Sequence, residues 1–144
     1  MIVSKLRVEF RTRHFDPDEP DRAEWICAVC DGILRSDGRR ESVSFSATFG
    51  EDGERSSFRY RFAFFQEDRS VLEMEQTGDS DVRIRFGAGE TAQAEYRAMG
   101  QVFLLEVRTH TVRTGPDELF VSYDTKDASG ARTRHEMEIR YTSQ

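Results

Sequence analysis

Hydrophobic and polar residues alternate along most of this chain. In residues 2–12 the even positions include Ile2, Leu6, Val8 and Phe10, whereas the odd positions are mostly charged. A period of two is typical of a β-strand that buries one face. The same pattern recurs at 43–49, 57–65, 70–76, 81–86, 91–98, 101–113, 118–125 and 132–142. It predicts an all-β protein.

Short clusters of Gly, Asp, Ser and Pro separate these segments, at 36–38, 51–53, 78–80, 87–89, 115–117 and 129–130. Strands joined by such short connections usually pair with their neighbours in the chain. About eight to ten of them usually close into a barrel or stack as a sandwich. A chain of 144 residues has the size of one ordinary domain. We therefore expect a single antiparallel meander β-barrel over residues 1–144.

One hairpin can be given a register from its residues alone. A three-residue loop at 78–80 brings opposite charges together on one face and apolar side chains together on the other. The resulting pairs are Glu73–Arg85, Glu75–Arg83, Leu72–Phe86 and Met74–Ile84.

The segment 16–32 fits two structures. Asp18, Pro20 and Gly32 could begin and end one short helix near residues 19–31. The run of Trp, Ile, Cys and Val after Pro20 also suits a strand that is buried on both faces, and we favour the strand.

The same segment contains Cys27 and Cys30, the two cysteines of the chain, at a C-x-x-C spacing. In a strand they point to opposite faces, with Cα atoms about 10 Å apart, too far for a disulfide. In a helix they lie away from the N-terminal end, where the dipole would stabilise a thiolate. A zinc site would need two more ligands, and the three histidines show no ligand spacing. We interpret both as interior thiols and predict no metal and no cofactor.

The formal net charge of −6 disfavours binding to nucleic acid or to an anionic membrane surface. In the segment FRYRFAFF, residues 58–65, arginines and rings alternate, which separates them onto opposite faces, unlike a nucleic-acid stacking platform. No apolar run reaches the about 18 residues of a transmembrane helix, and no signal-peptide pattern opens the chain. We predict a cytoplasmic protein with no nucleic-acid and no membrane partner.

The segment 101–107 is apolar on both faces, although the outer face of a barrel strand should be polar. Val102 and Leu104 occupy the face that should be polar. Two hypotheses explain them: a homodimer interface, or a surface that the segment 16–32 covers.

The second half of the chain carries a resemblance. Its features are Arg85-Phe86-Gly87, Tyr96, Gly100, Val107-Arg108-Thr109-His110, the segment ELFVSYDTKDASG at 118–130 and a final alternating strand. In these features the chain resembles the YwiB-like family of small bacterial barrels. The resemblance implies a calycin (lipocalin-like) fold with no assigned function and no catalytic residues to carry over. By analogy of fold, it also implies an interior that could hold a small ligand.

The predicted interior is rich in rings, which either fill it or line the wall of a pocket: Phe58, Tyr60, Phe62, Phe64, Tyr96, Phe103 and Tyr141. We expect a non-enzymatic module that binds a small ligand or a protein partner. Arg85 and Tyr96 are the predicted polar end of a pocket, with His110 as a further ligand-binding candidate. Arg85 could instead be only the surface partner of Glu73. The alternative hypothesis is an enzyme that acts on a small molecule in the barrel with His110 or His135 as base.

Overall fold

Ten antiparallel strands form a closed barrel in the computed structural model, which describes residues 1–50 and 55–144. They are β1 (Ile2–Phe15), β2 (Ile26–Ser36), β3 (Arg40–Phe49), β4 (Ser56–Phe65), β5 (Val71–Gly78), β6 (Ser80–Gly87), β7 (Thr91–Ala98), β8 (Gln101–Thr114), β9 (Glu118–Lys126) and β10 (Arg132–Ser143). Each strand pairs with the next one in the chain, and β10 pairs with β1 to close the barrel. The predicted all-β meander barrel is confirmed.

The segment 16–32 forms a strand over most of its apolar part. A single turn of 3-10 helix covers Pro20–Arg22, and β2 then begins at Ile26, so the alternative of one short helix over 19–31 is wrong. The strand is favoured because β2 pairs with β1 along its whole length, from Ile26 to Ser36, which satisfies the backbone groups on that side of the strand. Within the described residues, no helix has the length and apolar composition needed to cross a membrane.

The two cysteines lie on opposite faces of β2, as expected for a strand. Cys27 is exposed on the outer face, whereas Cys30 is half-buried and packs against the core. Both thiols are free. Burial, with a smaller contribution from the neighbouring Asp31 carboxylate, raises the pKa of the Cys30 thiol. The interpretation of both as interior thiols is therefore wrong for Cys27, because strand alternation turns it to the outer face.

The hairpin of β5 and β6 has the register that its charges and apolar residues predict. The pairs Glu73–Arg85, Glu75–Arg83, Leu72–Phe86 and Met74–Ile84 all form. The predicted turn at 51–53 lies outside the described residues.

Side chains from the inward face fill one end of the barrel, which we call the filled end. It is the end at which β4 turns into β5. Large, fully buried residues occupy the inward positions of the strands at this end: Leu6, Val43, Phe62, Phe64, Leu72, Phe86, Val107, Leu119 and Ile139. The inward orientation predicted for Phe62 and Phe64 is confirmed, since neither exposes any surface.

The opposite end, which we call the open end, is packed less fully. Its inward positions include small or polar residues, among them Thr12, Ser80, Ala98 and Thr125. The pairing of β6 with β7 is confined to this end, at Ser80 to Val82, and the two strands separate toward the filled end.

The backbone of β2 lies very close to neighbouring atoms at Gly32, which is also where its pairing with β3 ends. A Cβ at Gly32 would lie 2.6 Å from Val8 Cγ2 and 2.9 Å from the Ser44 carbonyl oxygen, so only glycine fits without a shift. The pairing of β2 with β3 runs from Gly32 to Ser36. The residues of β2 before Gly32 have no such partner on β3, so these two strands separate toward the open end of the barrel.

Candidate ligand-binding cavity

A cavity of about 710 Å³ occupies the open end of the barrel. Pockets for small molecules measure about 300–1,000 Å³ and are mostly apolar with a few polar groups. The wall of this cavity fits that description, since most of it is apolar or aromatic: Ile26, Phe49, Phe58, Val82, Ile84, Tyr96, Phe103, Leu105 and Met137. The barrel is therefore filled by its own rings at one end only.

Two buried tyrosines lie where the cavity meets the core. Tyr60 packs against Phe10, with ring centroids 4.8 Å apart, and Tyr123 packs against Phe86 at 4.6 Å. Burial raises the pKa of both hydroxyls, and the charge of a neighbouring tyrosinate would raise each further. Both rings are therefore uncharged at neutral pH, and this part of the cavity is aromatic and neutral.

A pair of histidines stands at the rim of the cavity. His14 of β1 is the register partner of His135 of β10, and their Nδ1 atoms lie 2.6 Å apart. The Nε2 atom of His135 is 2.7 Å from the Thr125 hydroxyl, and its ring stacks on Tyr123 at 4.7 Å. These contacts fix His135, whereas His14 is more exposed.

Both histidines are neutral at physiological pH. Burial lowers the pKa of His14. Burial, followed by the charge that His14 would carry, lowers the pKa of His135 to about 3, although the Asp124 carboxylate acts in the opposite direction. An uncharged pair fits the short distance between the two Nδ1 atoms, because one neutral ring donates and the other accepts.

The histidine pair predicts a loss of stability toward acid. The folded pKa of His135 lies below the ordinary value of 6.5, so below pH 6.5 the unfolded chain binds a proton that the folded chain does not. Stability therefore falls as the pH falls from 6.5 toward about 3. We expect a loss of about 2 kcal/mol between pH 7 and about pH 5, a range in which carboxylates stay ionised. Urea denaturation over this pH range measures it.

The control replaces the titrating groups without removing their hydrogen-bonding capacity. The double variant His14→Gln and His135→Gln should have a nearly constant stability over the same range. A double variant with the wild-type slope would show that other groups cause the pH dependence.

Of the three residues predicted to bind ligand, one lines the cavity. Tyr96 does so, with its ring 6.3 Å from that of Phe103. Arg85, predicted with Tyr96 as its polar end, and His110, the further candidate, are exposed on the outer face and do not line it. The reason is the strand alternation itself: Arg85 lies between the buried Ile84 and Phe86 and must point outward.

On the outer face, His110 belongs to a cluster with Asp124 and Arg134. The His110 Nε2 atom is 3.1 Å from Asp124 Oδ2, and Arg134 Nε donates to Asp124 Oδ1 at 2.8 Å. Burial opposes ionisation of Asp124, but the hydrogen bonds from Arg134 and His110 outweigh it and lower the pKa of the carboxyl. This cluster joins three strands on the outer face and does not line the cavity at the open end.

Val102 and Leu104 are exposed on the outer face of β8, as their positions in the strand predict. Their side chains expose 56% and 61% of their surface. No described part of the segment 16–32 pairs with β8, since β7 and β9 are its partners. A role for both residues in an interface stays a prediction.

A larger depression, of about 810 Å³, lies on the outer surface. Charged side chains make up much of its lining: Lys5, Asp31, Arg35, Arg59, Arg61 and Glu75. Surface charges of this kind keep most of their hydration and contribute little binding free energy. Across residues 1–50 and 55–144, no cluster of three or more His, Cys, Asp or Glu side chains could hold a metal ion.

The sequence signals for the histidine pair are weak. His135 lies on the apolar face of its strand, with Met137 and Ile139, which favours a core histidine. His14 continues the inward face of β1 beyond Thr12. Their contact depends on how β1 and β10 close the barrel, which local sequence does not reveal.

The crystal structure of the YwiB protein from Bacillus subtilis has a similar fold. The TM-score is 0.71 at 14% sequence identity, and the match covers 99% of this chain and 93% of that chain. No family model matches the chain, and no curated protein matches it in sequence. At this identity the likeness concerns the fold alone, and it supports the YwiB-like fold that the resemblance implied.

Proposed function

We propose that this protein binds a small, mainly apolar molecule at the open end of its barrel without transforming it. The observation that carries the proposal is the cavity of about 710 Å³ with its wall of aliphatic and aromatic side chains. A ligand of that chemistry gains binding free energy as its apolar surface leaves water. The few polar groups at the rim would orient it.

The chemistry of the histidines argues against the alternative of an enzyme with a histidine base. A general base should have a pKa near the operating pH, whereas the pKa of His135 is lowered to about 3. Its two ring nitrogens also contact His14 and Thr125 rather than a carboxylate. His110 has a carboxylate partner in Asp124, but on the outer face. We therefore assign no catalytic residue.

We also propose three further properties that the sequence predicts: membership of a family, a cytoplasmic location and a homodimer contact. The match over nearly the whole of both chains supports membership of the YwiB-like family of calycin barrels. Two unpaired thiols suit the reducing cytoplasm. The exposed Val102 and Leu104 would contribute to a homodimer contact.

Titration with Nile red, an uncharged dye whose emission depends on solvent polarity, tests the proposed function. We expect saturable binding of one dye per chain with a shift of the emission to shorter wavelength, because the aromatic wall replaces water around the dye. An unchanged emission spectrum at saturating protein concentration would contradict the proposal.

A further inference from the structure

The lining of the cavity is almost free of charge. Among the described residues that line it, none is Lys or Arg, and Asp127 is the one acidic residue. Asp127 lies in the exposed turn between β9 and β10, where its Oδ1 atom accepts from the backbone N–H groups of Ser129 and Ala131 at 2.9 and 3.1 Å. Because this carboxylate is hydrogen-bonded to the backbone of its own turn, the wall of the cavity offers no counter-ion to a charged ligand.

Several polar groups of the cavity already have a partner. Gln76 Nε2 donates to the Ser80 hydroxyl at 2.6 Å. His135 uses both ring nitrogens, one toward His14 and one toward Thr125. The Nε2 atom of His14, by contrast, has only a long contact with the Thr12 hydroxyl, at 3.4 Å, and the hydroxyls of Tyr60, Tyr96 and Tyr123 also line the cavity. At the rim of the cavity, this nitrogen is placed to gain a better hydrogen bond from a ligand.

The histidine pair lets this nitrogen act as a donor or as an acceptor. If His135 donates its Nδ1–H to His14 Nδ1, the Nε2 atom of His14 carries a hydrogen and donates. If His14 donates instead, its Nε2 atom has a free lone pair and accepts. The Thr125 hydroxyl adapts to either arrangement, because it can both donate and accept.

We propose that the cavity selects an uncharged, mainly apolar molecule with one hydroxyl or carbonyl group, which hydrogen-bonds to His14 Nε2. This inference rests on the proposed function and names its ligand class. A hydroxyl or carbonyl group completes the hydrogen bonding of His14 while the apolar remainder lies against the aromatic wall. A carboxylate or ammonium group would lose its hydration without meeting an opposite charge.

Displacement of Nile red by three molecules of equal chain length tests the selection: 1-decanol, decanoate and decylamine at pH 7.5. We expect 1-decanol to displace the dye at a concentration at least about tenfold lower than either charged molecule. If decanoate or decylamine displaces it at an equal or lower concentration, the inference is overturned while the proposed function stands. If Nile red itself does not bind, the proposed function fails.

Variants of His14 test the assigned contact. His14→Phe keeps an aromatic ring but removes the nitrogen, and it should weaken 1-decanol binding about fivefold, the effect of one net hydrogen bond. His14→Gln should retain most of the affinity, because its amide can donate and accept. His110→Phe, on the outer face, is the matched control and should have no effect. Equal 1-decanol affinities for His14→Phe and His14→Gln would overturn the assignment to Nε2.

Discussion

Phe64→Ala is expected to lower the free energy of unfolding by about 3–5 kcal/mol. Phe64 is completely buried at the filled end of the barrel. Its removal loses the free energy of burying the ring and leaves a cavity that neighbouring strands cannot close, because each is held in register on both sides. Urea denaturation of the two proteins measures the difference.

The next residue in the chain provides the control. Phe65 points to the outer face, where it exposes 36% of its surface and lies under the Arg40 guanidinium at 5.7 Å. Phe65→Ala should cost less than about 1 kcal/mol. Equal losses for the two variants would contradict the alternation of faces along β4, on which the barrel depends.

Ala98→Trp is expected to weaken Nile red binding by at least about tenfold. Ala98 lies on the inward face of β7 at the open end and lines the cavity. An indole at this position would occupy space that the ligand needs and would pack against the apolar wall near Phe103. The stability of the protein should therefore be maintained while binding is lost.

Gln93→Trp is the matched control for this variant. Gln93 is on the same strand but exposed on the outer face, so the same indole there should leave Nile red binding unchanged. Dye titrations with both variants, and with Val102→Ala on the outer face of β8, locate the site. Binding that survives Ala98→Trp but not Val102→Ala would place the dye on the outer surface instead.

Local sequence predicts much of the barrel because the alternation of inward and outward side chains depends only on neighbouring residues in the chain. Side chains alternate between faces along each strand, so Phe62, Phe64 and the register of β5 with β6 follow from the residues themselves. Short turns then join neighbours in sequence. The same alternation places Arg85 and His110 outside, and it disagrees with the prediction that Arg85 forms the polar end of a pocket with Tyr96 and that His110 also binds the ligand.

The histidine pair and the cavity depend on contacts between residues distant in the sequence. His14 and His135 meet because β1 pairs with β10, and no turn fixes that register. Whether the rings fill the barrel depends on the spacing of its strands, and β2 separates from β3 over the residues that precede Gly32. Neither the register of β1 with β10 nor the spacing of the strands is encoded in a local sequence pattern.

The central claim is that the open end of the barrel holds an apolar ligand inside its wall. Nuclear Overhauser effects between bound 1-decanol and assigned side chains measure this most directly. The account predicts contacts from the alkyl chain to the methyl group of Met137 and to the ring of Phe103, both in the wall. Contacts confined to Val102 and Leu104 on the outer face, or no intermolecular contact at saturating 1-decanol, would contradict it.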